Sequence, residues 1–205
     1  MQGTKFSNLN SVEEANELSS TLNIQKFHPL QDFLIESELK NANLSKDDAI
    51  KYATILISSS LSSQQLAGAL ILRRLMYKAE IPYQKVIQSN VLPSLIQLIS
   101  YSDEQFIYEV SYIILNIAGG DKSCNDYLLS QNSLDLLNYL LEKYNSIPIF
   151  EHIMWTIGNI AITGSFYQNL LLQKLNLTAI SNFLNIHENE FLSENFRTIA
   201  WSLAL

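Results

Sequence analysis

The chain has 205 residues, 47% of them hydrophobic, and carries 13 Lys and Arg residues against 20 Asp and Glu residues. Its formal net charge of −7 argues against a general nucleic-acid or anionic-membrane binder, because such proteins bind phosphates mainly through Lys and Arg. The length allows one large domain or two small ones. The acidic balance leaves room for a basic partner.

Three features indicate the compartment. The single cysteine, Cys124, cannot form a disulfide within the chain, so a reducing intracellular setting is expected. The first 20 residues lack the apolar core of a secretory signal, and their three glutamates do not suit an Arg-rich transit peptide. The most apolar stretch, residues 54–72, is interrupted by serines and by Gln64 and Gln65, which is not typical of a membrane span. We therefore expect a soluble intracellular protein.

The predicted elements are all helices. Only six glycines and four prolines interrupt the chain, and the segments between them place apolar residues at helical spacing. Residues 1–43 are expected to form an N-terminal arm and capping helices, although the composition of residues 1–30 suits disorder as well as a helix. The polar run from Lys46 to Asp48 suits the outer face of a terminal repeat. No run of alternating polarity bounded by turns predicts a strand.

The helices also repeat along the chain. NIAGG at Asn116–Gly120 returns as GNIAITG at Gly158–Gly164, and the two asparagines, Asn116 and Asn159, are 43 positions apart. A period of 42 to 46 residues with three helices per unit predicts a right-handed α-solenoid of armadillo repeats. Residues 44–205 then form about four repeats. The third, long helices are predicted at about 62–78, 103–118, 147–162 and 190–205.

The chain ends at Leu205, inside the last predicted third helix. An unfinished apolar helix leaves the end of a solenoid uncovered, and terminal repeats need a polar outer face. The sequence therefore predicts a fragment, a truncated relative, or an end that another protein covers.

No residue group suits catalysis, a cofactor or a metal. His28, His152 and His187 lie in different segments with no carboxylate or cysteine at ligand spacing, so structural or surface roles are expected. GGDKS at Gly119–Ser123 follows a helix and lacks the spacing of a phosphate-binding loop, so we expect a helix-capping turn. Cys124 has no activating neighbour in the sequence and is expected to be an inert thiol. The prediction is a protein that is not an enzyme.

The third helices carry an aromatic residue at one recurring position: Tyr112, Trp155 and Trp201. An asparagine follows four residues later at Asn116 and Asn159, and this spacing places ring and amide on one helix face, a turn apart. The simpler interpretation is that the rings fill the core and the asparagines cap helices. A recurring asparagine on the same face favours a binding surface, because a buried amide needs hydrogen-bond partners. We call these five positions the ladder.

At these residues the sequence resembles importin alpha, the adaptor family that binds nuclear localisation signals. WTIGNIA at Trp155–Ala161 matches the family's pattern of Trp, three residues, Asn, Ile or Val, and Ala. Gln64–Met76 followed by Ile81–Ile99 resembles the first repeat and its continuation. The resemblance covers about residues 50–205 and makes the chain a divergent, truncated member with the first four repeats. It implies a cytoplasmic and nuclear protein whose concave groove binds extended Lys/Arg-rich signal peptides for import into the nucleus.

The resemblance also implies a set of peptide-binding residues: Tyr112, Asn116, Gly120, Asn125, Trp155, Asn159 and Trp201. Four positions depart from the family. Tyr112 replaces a Trp, Asn125 replaces a usual threonine, and Leu205 stands where a third Asn is expected. Thr163 stands where the family has the aspartate that pairs with the key lysine of the signal.

Two hypotheses stay open. The first is an adaptor for basic peptides. It fits the composition of residues 101–205, which contain 11 acidic and 4 basic residues. The second is a non-catalytic armadillo scaffold subunit of a larger assembly with a degenerate groove, which Thr163 and the truncated end favour. The basic N-terminal segment that binds importin beta is absent from this sequence, so importin beta binding is not expected.

Overall fold

The computed structural model describes residues 44–76 and 81–187, and in these residues every regular element is an α-helix. The predicted arm of residues 1–43 and the last predicted third helix at 190–205 lie outside the described residues. The helices are, in chain order, α1 (Lys46–Ile57), α2 (Ser62–Met76), α3 (Tyr83–Gln88), α4 (Leu92–Ile99), α5 (Glu104–Ala118), α6 (Lys122–Ser130), α7 (Ser133–Lys143), α8 (Ile147–Ala161), α9 (Ser165–Lys174) and α10 (Leu177–Ile186).

The chain divides into two compact units, Met1–Val110 and Ser111–Leu205, with the division inside α5. The first unit contains α1 to α4 and the start of α5. The second contains residues 111–118 of α5 and the helices from α6 to α10. The predicted domain boundary at residue 43 falls at the edge of the described residues and stays a prediction.

Three long helices confirm the predicted repeat. Helices α2, α5 and α8 have 15 residues each and begin within one residue of the predicted third helices. Their equal length defines a common register, in which a residue of one helix has an equivalent in the others. The ninth and thirteenth positions of the three helices are Leu70 and Arg74, Tyr112 and Asn116, and Trp155 and Asn159.

The backbone repeats as well. Asn90 and Asn132, which the sequence places at equivalent points before a second helix, both have left-handed backbone angles, with φ of 51° and 56°. Asparagine tolerates this conformation better than most residues, because its short side chain bonds locally. A shared unusual conformation at both positions supports one structural unit used twice.

In the first unit, α1 and α2 pack closely at Gly68. A Cβ atom at Gly68 would lie 2.6 Å from the Ala53 carbonyl oxygen and 2.8 Å from the Ile57 side chain, so only glycine fits. Ser45 caps the start of α1, because its hydroxyl accepts a hydrogen bond from the Asp48 backbone N–H at 3.1 Å. The core here consists of apolar side chains such as Tyr52, which is fully buried.

A buried ion pair joins two third helices within the first unit. Arg73 of α2 pairs with Glu109 of α5, and their side chains are only 12% and 4% exposed. Charges removed from water are costly unless they are paired, so each of these residues depends on the other.

In the second unit, stacked rings join α8 to α10. The Phe150 and Phe183 rings are 4.0 Å apart with an interplanar angle of 5°. The Asn138 side chain of α7 makes two hydrogen bonds to the turn between α9 and α10. Its Oδ1 accepts from the Asn176 backbone N–H at 2.8 Å, and its Nδ2 donates to the Lys174 carbonyl oxygen at 2.8 Å. These bonds order the turn. Polar side chains thus satisfy the backbone groups that the helix ends leave without partners.

No helix among residues 44–76 and 81–187 has both the length and the apolar character needed to cross a lipid bilayer.

Candidate functional site

The Trp155 ring lies at the surface of the second unit. Trp155 is 42% exposed, although its helix neighbours Met154 and Ile157 are buried. Asn159 follows one turn later and is half-buried. The interpretation that this ring fills the core is therefore wrong, and α8 presents an indole and an amide one turn apart.

Tyr112 and Asn116 form the second ring-and-amide pair of the ladder, and this pair lies on α5. Tyr112 and Asn116 are both half-buried. The Tyr112 ring contacts His152 of α8 edge-on, with ring centres 5.2 Å apart. The Asn116 side chain donates from Nδ2 to the Tyr112 carbonyl oxygen at 2.8 Å, so its own helix already receives one of its amide hydrogens.

His152 holds α8 against the part of α5 in the same unit. It is buried, and its Nδ1 is hydrogen-bonded to the Ser111 hydroxyl at 2.8 Å. His187 is also buried, and its Nε2 is hydrogen-bonded to Asn145 Oδ1 at 2.6 Å. The structural roles expected for these two histidines are confirmed, whereas His28 lies outside the described residues.

The Asn159 amide of α8 lies close to the turn that follows α5. Asn159 Nδ2 lies 3.5 Å from the position that a Cβ atom would take on Gly119, so the amide sits against the end of α5. At Gly120 a Cβ atom would lie 2.6 Å from Cys124 Sγ, so a side chain there would force the cysteine to move. Gly120 is thus needed for close packing beside the ladder.

The same turn caps α6. The Asp121 carboxylate accepts a hydrogen bond from the Cys124 backbone N–H at 3.1 Å, which confirms the predicted capping turn. A hydrogen bond from the Ser123 hydroxyl, together with this backbone bond, lowers the pKa of Asp121. Cys124 is 1% exposed, and burial raises the pKa of its thiol, as expected for an inert cysteine.

Asn125 lies beneath the surface. It is 1% exposed, and its Nδ2 donates to the Thr163 hydroxyl at 2.9 Å. Thr163 in turn donates to the Asn159 carbonyl oxygen at 3.3 Å. These bonds connect α6 to the end of α8, so the buried Asn125 holds the end of α8 in place next to Asn159. Trp201, the third ring of the ladder, and Leu205 lie outside the described residues.

Three further residues lie close to Trp155 or Asn159 in the chain, and the sequence reasoning did not single them out. Glu151 lies one turn before Trp155 on α8, is half-buried, and has a pKa raised by that burial. Its spacing of four residues from Trp155 is a signal that could have identified it. Ile162 and Phe166 are 58% and 67% exposed, and no sequence signal distinguishes them from core residues.

The described residues offer no other obvious site. Among them, no group of three or more His, Cys, Asp or Glu side chains is arranged to hold a metal ion. A cavity of about 440 Å³ lies between the end of α7 and α10 and is lined by residues such as Tyr144, Asn176 and Phe183. Its lining includes no residue of the ladder, and the chemistry of the ladder is the better guide to function.

The helices, their period and their register define an armadillo-repeat protein. A designed armadillo repeat protein matches with a TM-score of 0.66 and 18% identity, covering 97% of this chain and 78% of the designed one. A second designed armadillo repeat protein, solved in complex with the peptide (KR)4, matches with a TM-score of 0.62 and 19% identity, covering 97% and 77%. At such identities the likeness shows the fold, and the predicted armadillo α-solenoid is confirmed.

Sequence relatives are importin alpha subunits. Importin subunit alpha-9 of Arabidopsis thaliana is 28% identical over 187 residues, which is 85% of this chain and 35% of that protein. A probable importin subunit alpha-A of Dictyostelium discoideum is 23% identical over 171 residues, covering 80% and 29%. The chain thus spans about a third of the length of these relatives. No protein-family model matches it. The chain is an armadillo-repeat protein that resembles importin alpha.

Proposed function

We propose that this protein is an importin-alpha-like, non-catalytic adaptor. In this proposal it binds an extended Lys/Arg-rich nuclear localisation signal of a cargo protein and works in the cytoplasm and nucleus, in import of the cargo. The observation that carries the proposal is the exposed indole of Trp155 with the Asn159 amide one turn further along α8. The relatives named importin alpha and the designed armadillo protein with a bound (KR)4 peptide support it.

The ladder has the chemistry that an extended basic peptide needs. Side chains of Lys and Arg stack on Trp or Tyr rings, with a gain of about 0.5–2 kcal/mol for each contact. Asn159 and Asn116 would bond the peptide backbone, since an amide both donates and accepts. Helices pack about 8–10 Å apart and an extended chain rises about 3.3 Å per residue, so each repeat serves two or three peptide residues. Trp201 would add a ring one repeat further on.

Other groups assist in this proposal. Gly120 and Asn125 hold the turn and the end of α8 in place beside the ladder. Glu151 adds a carboxyl group one turn from the Trp155 ring. The excess of 11 acids over 4 bases in residues 101–205 steers a basic peptide toward this half of the chain.

One observation favours the second candidate, a scaffold with a disused groove. The Thr163 hydroxyl is already bonded to Asn125 and to the Asn159 carbonyl, and Thr163 replaces the acid that pairs with lysine in the family. A site without that acid loses about 1.5–3 kcal/mol of charge-assisted bonding.

A titration with the peptide (KR)4 tests the adaptor. Fluorescently labelled (KR)4 should bind the protein with a Kd on the order of micromolar and more weakly at about 150 mM than at about 50 mM salt. Trp155→Ala should weaken binding at least about tenfold. Tyr101→Ala is the matched control, because Tyr101 is an aromatic residue that is 87% exposed and lies outside the ladder. Equal losses in both variants, or no binding by a folded helical sample, would reject the adaptor and favour the scaffold.

A second test places an aspartate at position 163, and this change should strengthen peptide binding. Thr163→Asp should tighten (KR)4 binding by about tenfold or more, because a carboxylate can pair with lysine and still accept the Asn125 hydrogen bond. Ser165→Asp adds the same charge at an exposed position on α9 and controls for general attraction. An equal gain in both variants would show that the effect is a general attraction and does not depend on the position of Thr163.

A further inference from the structure

The end of α8 carries an exposed apolar surface that continues the face of Trp155. Ile162 lies seven residues after Trp155, which is nearly two full helical turns, and its helical backbone angles, φ −66° and ψ −13°, keep it in register. Phe166 follows at the start of α9. The exposed fractions are 42% for Trp155, 58% for Ile162 and 67% for Phe166. We call Ile162, Thr163 and Phe166 the apolar corner.

The apolar corner is neutral. Thr163 is bonded to Asn125 and to the Asn159 carbonyl, and neither group carries a charge. The two acids on either side of Asn125 in the sequence are engaged elsewhere. Asp121 caps α6, and Asp126 receives hydrogen bonds from Lys122 and Tyr167. Among the described residues, neither of these two acids is therefore offered to a lysine ammonium group at the corner, and such a group would lose water on binding there.

In an extended peptide bound at Asn159, neighbouring side chains point to opposite sides of that residue. Asn159 lies one turn after Trp155 and three residues before Ile162. Successive side chains of an extended chain point in opposite directions. A peptide backbone bonded to the Asn159 amide therefore directs one side chain toward Trp155 and the next toward Ile162.

We propose that the ladder selects a peptide in which a large aliphatic residue directly neighbours a basic residue. The basic side chain stacks on Trp155, and the aliphatic side chain lies on Ile162 and Phe166. This inference rests on the proposed peptide-binding function. The negative charge excess of residues 101–205 attracts the basic residues of the peptide. The exposed apolar corner favours an aliphatic residue between two basic ones.

Two labelled peptides of equal charge test this selection. The first has eight residues that alternate Lys and Ser, and the second has Leu in place of the two central serines. The protein should bind the Leu peptide about tenfold more tightly, because only Leu removes apolar surface of the corner from water. Ile162→Ser and Phe166→Ser should each weaken the Leu peptide about fivefold and the Ser peptide less than about twofold.

Leu172→Ser is the matched control. Leu172 is 67% exposed, as Phe166 is, and lies on the same helix, so its loss should leave both affinities unchanged. Equal binding of the two peptides, with Trp155→Ala still abolishing both, would overturn the apolar selection and leave the adaptor function intact. If neither peptide nor (KR)4 binds the folded protein, the proposed function fails and the selection fails with it.

Discussion

Helices α2 and α8 lie in different units and have the same length, but their equivalent positions carry different side chains. At the ninth position Leu70 of α2 is 1% exposed, whereas Trp155 of α8 is 42% exposed. At the thirteenth position Arg74 stands in α2 and Asn159 in α8. The repeat therefore fixes where a helix lies in the unit, and the residue at a given register position decides whether that helix forms core or surface.

The polar contacts between third helices differ in the same way. The first unit uses a buried ion pair, Arg73 with Glu109, and the second uses a hydrogen bond between Ser111 and His152. The net charge of residues 101–205 equals that of the whole chain, so residues 1–100 are balanced. A balanced first half suits packing, and an acidic second half suits attraction of a basic partner.

Breaking the ion pair should have the largest effect. Glu109→Ala leaves the Arg73 charge buried without its carboxylate and should destabilise the protein by about 3–5 kcal/mol. Urea unfolding followed by circular dichroism measures the change. The double variant Arg73→Met with Glu109→Leu replaces the pair by apolar side chains and should come close to the wild type. A loss below about 1 kcal/mol for Glu109→Ala would show that the pair does not hold the first unit together.

The ninth register position offers the sharpest comparison. Leu70→Ala should cost about 2–5 kcal/mol because it opens a cavity in the core. Trp155→Ala at the equivalent position should cost about 0.5 kcal/mol, since its ring is at the surface. Thermal unfolding of the two variants measures this difference. Similar losses in both would mean that Trp155 is a core residue and would remove the basis for a binding role.

The Ser111–His152 hydrogen bond of the second unit should contribute less to stability than the ion pair. Ser111→Ala removes a partner of the buried His152 ring and should cost about 1–3 kcal/mol. Ser123→Ala removes an exposed hydroxyl that bonds Asp121 and should change the free energy of unfolding by less than about 0.5 kcal/mol. A comparison of the urea midpoints separates the two, and equal shifts would contradict the structural role of Ser111.

The smallest predicted effect is a pKa shift in the second unit. Hydrogen bonds from Lys122 and Tyr167 lower the pKa of Asp126. The stability from this lowered pKa is complete above the ordinary pKa of an aspartate, about 3.9, and is lost as the pH falls through the folded value. Tyr167→Phe removes one donor, so the pKa of Asp126 should rise toward the ordinary value. A carboxyl titration by NMR measures it, and an unchanged pKa would exclude a contribution from the Tyr167 hydroxyl.

Much of this architecture was predictable because helix formation depends on local patterns. Apolar residues at helical spacing predicted α2, α5 and α8, and the return of NIAGG as GNIAITG predicted the period. The capping turn at Gly119–Ser123 was predictable for the same reason, because an N-cap side chain bonds a backbone group only a few residues away. The ladder positions followed from spacing within one helix.

Burial and pairing depend on distant parts of the chain, and only the tertiary structure decided them. The amino-acid sequence does not reveal that Trp155 is exposed while Leu70, at the same register position, is buried. Asn125 was predicted as a peptide contact, but it lies beneath the surface, bonded to Thr163, which is 38 residues away. The exposure of Ile162 likewise depends on what neighbouring helices leave uncovered. Local spacing specified the helices and their repeat, whereas the packing of residues far apart in the chain determined which side chains a partner can reach.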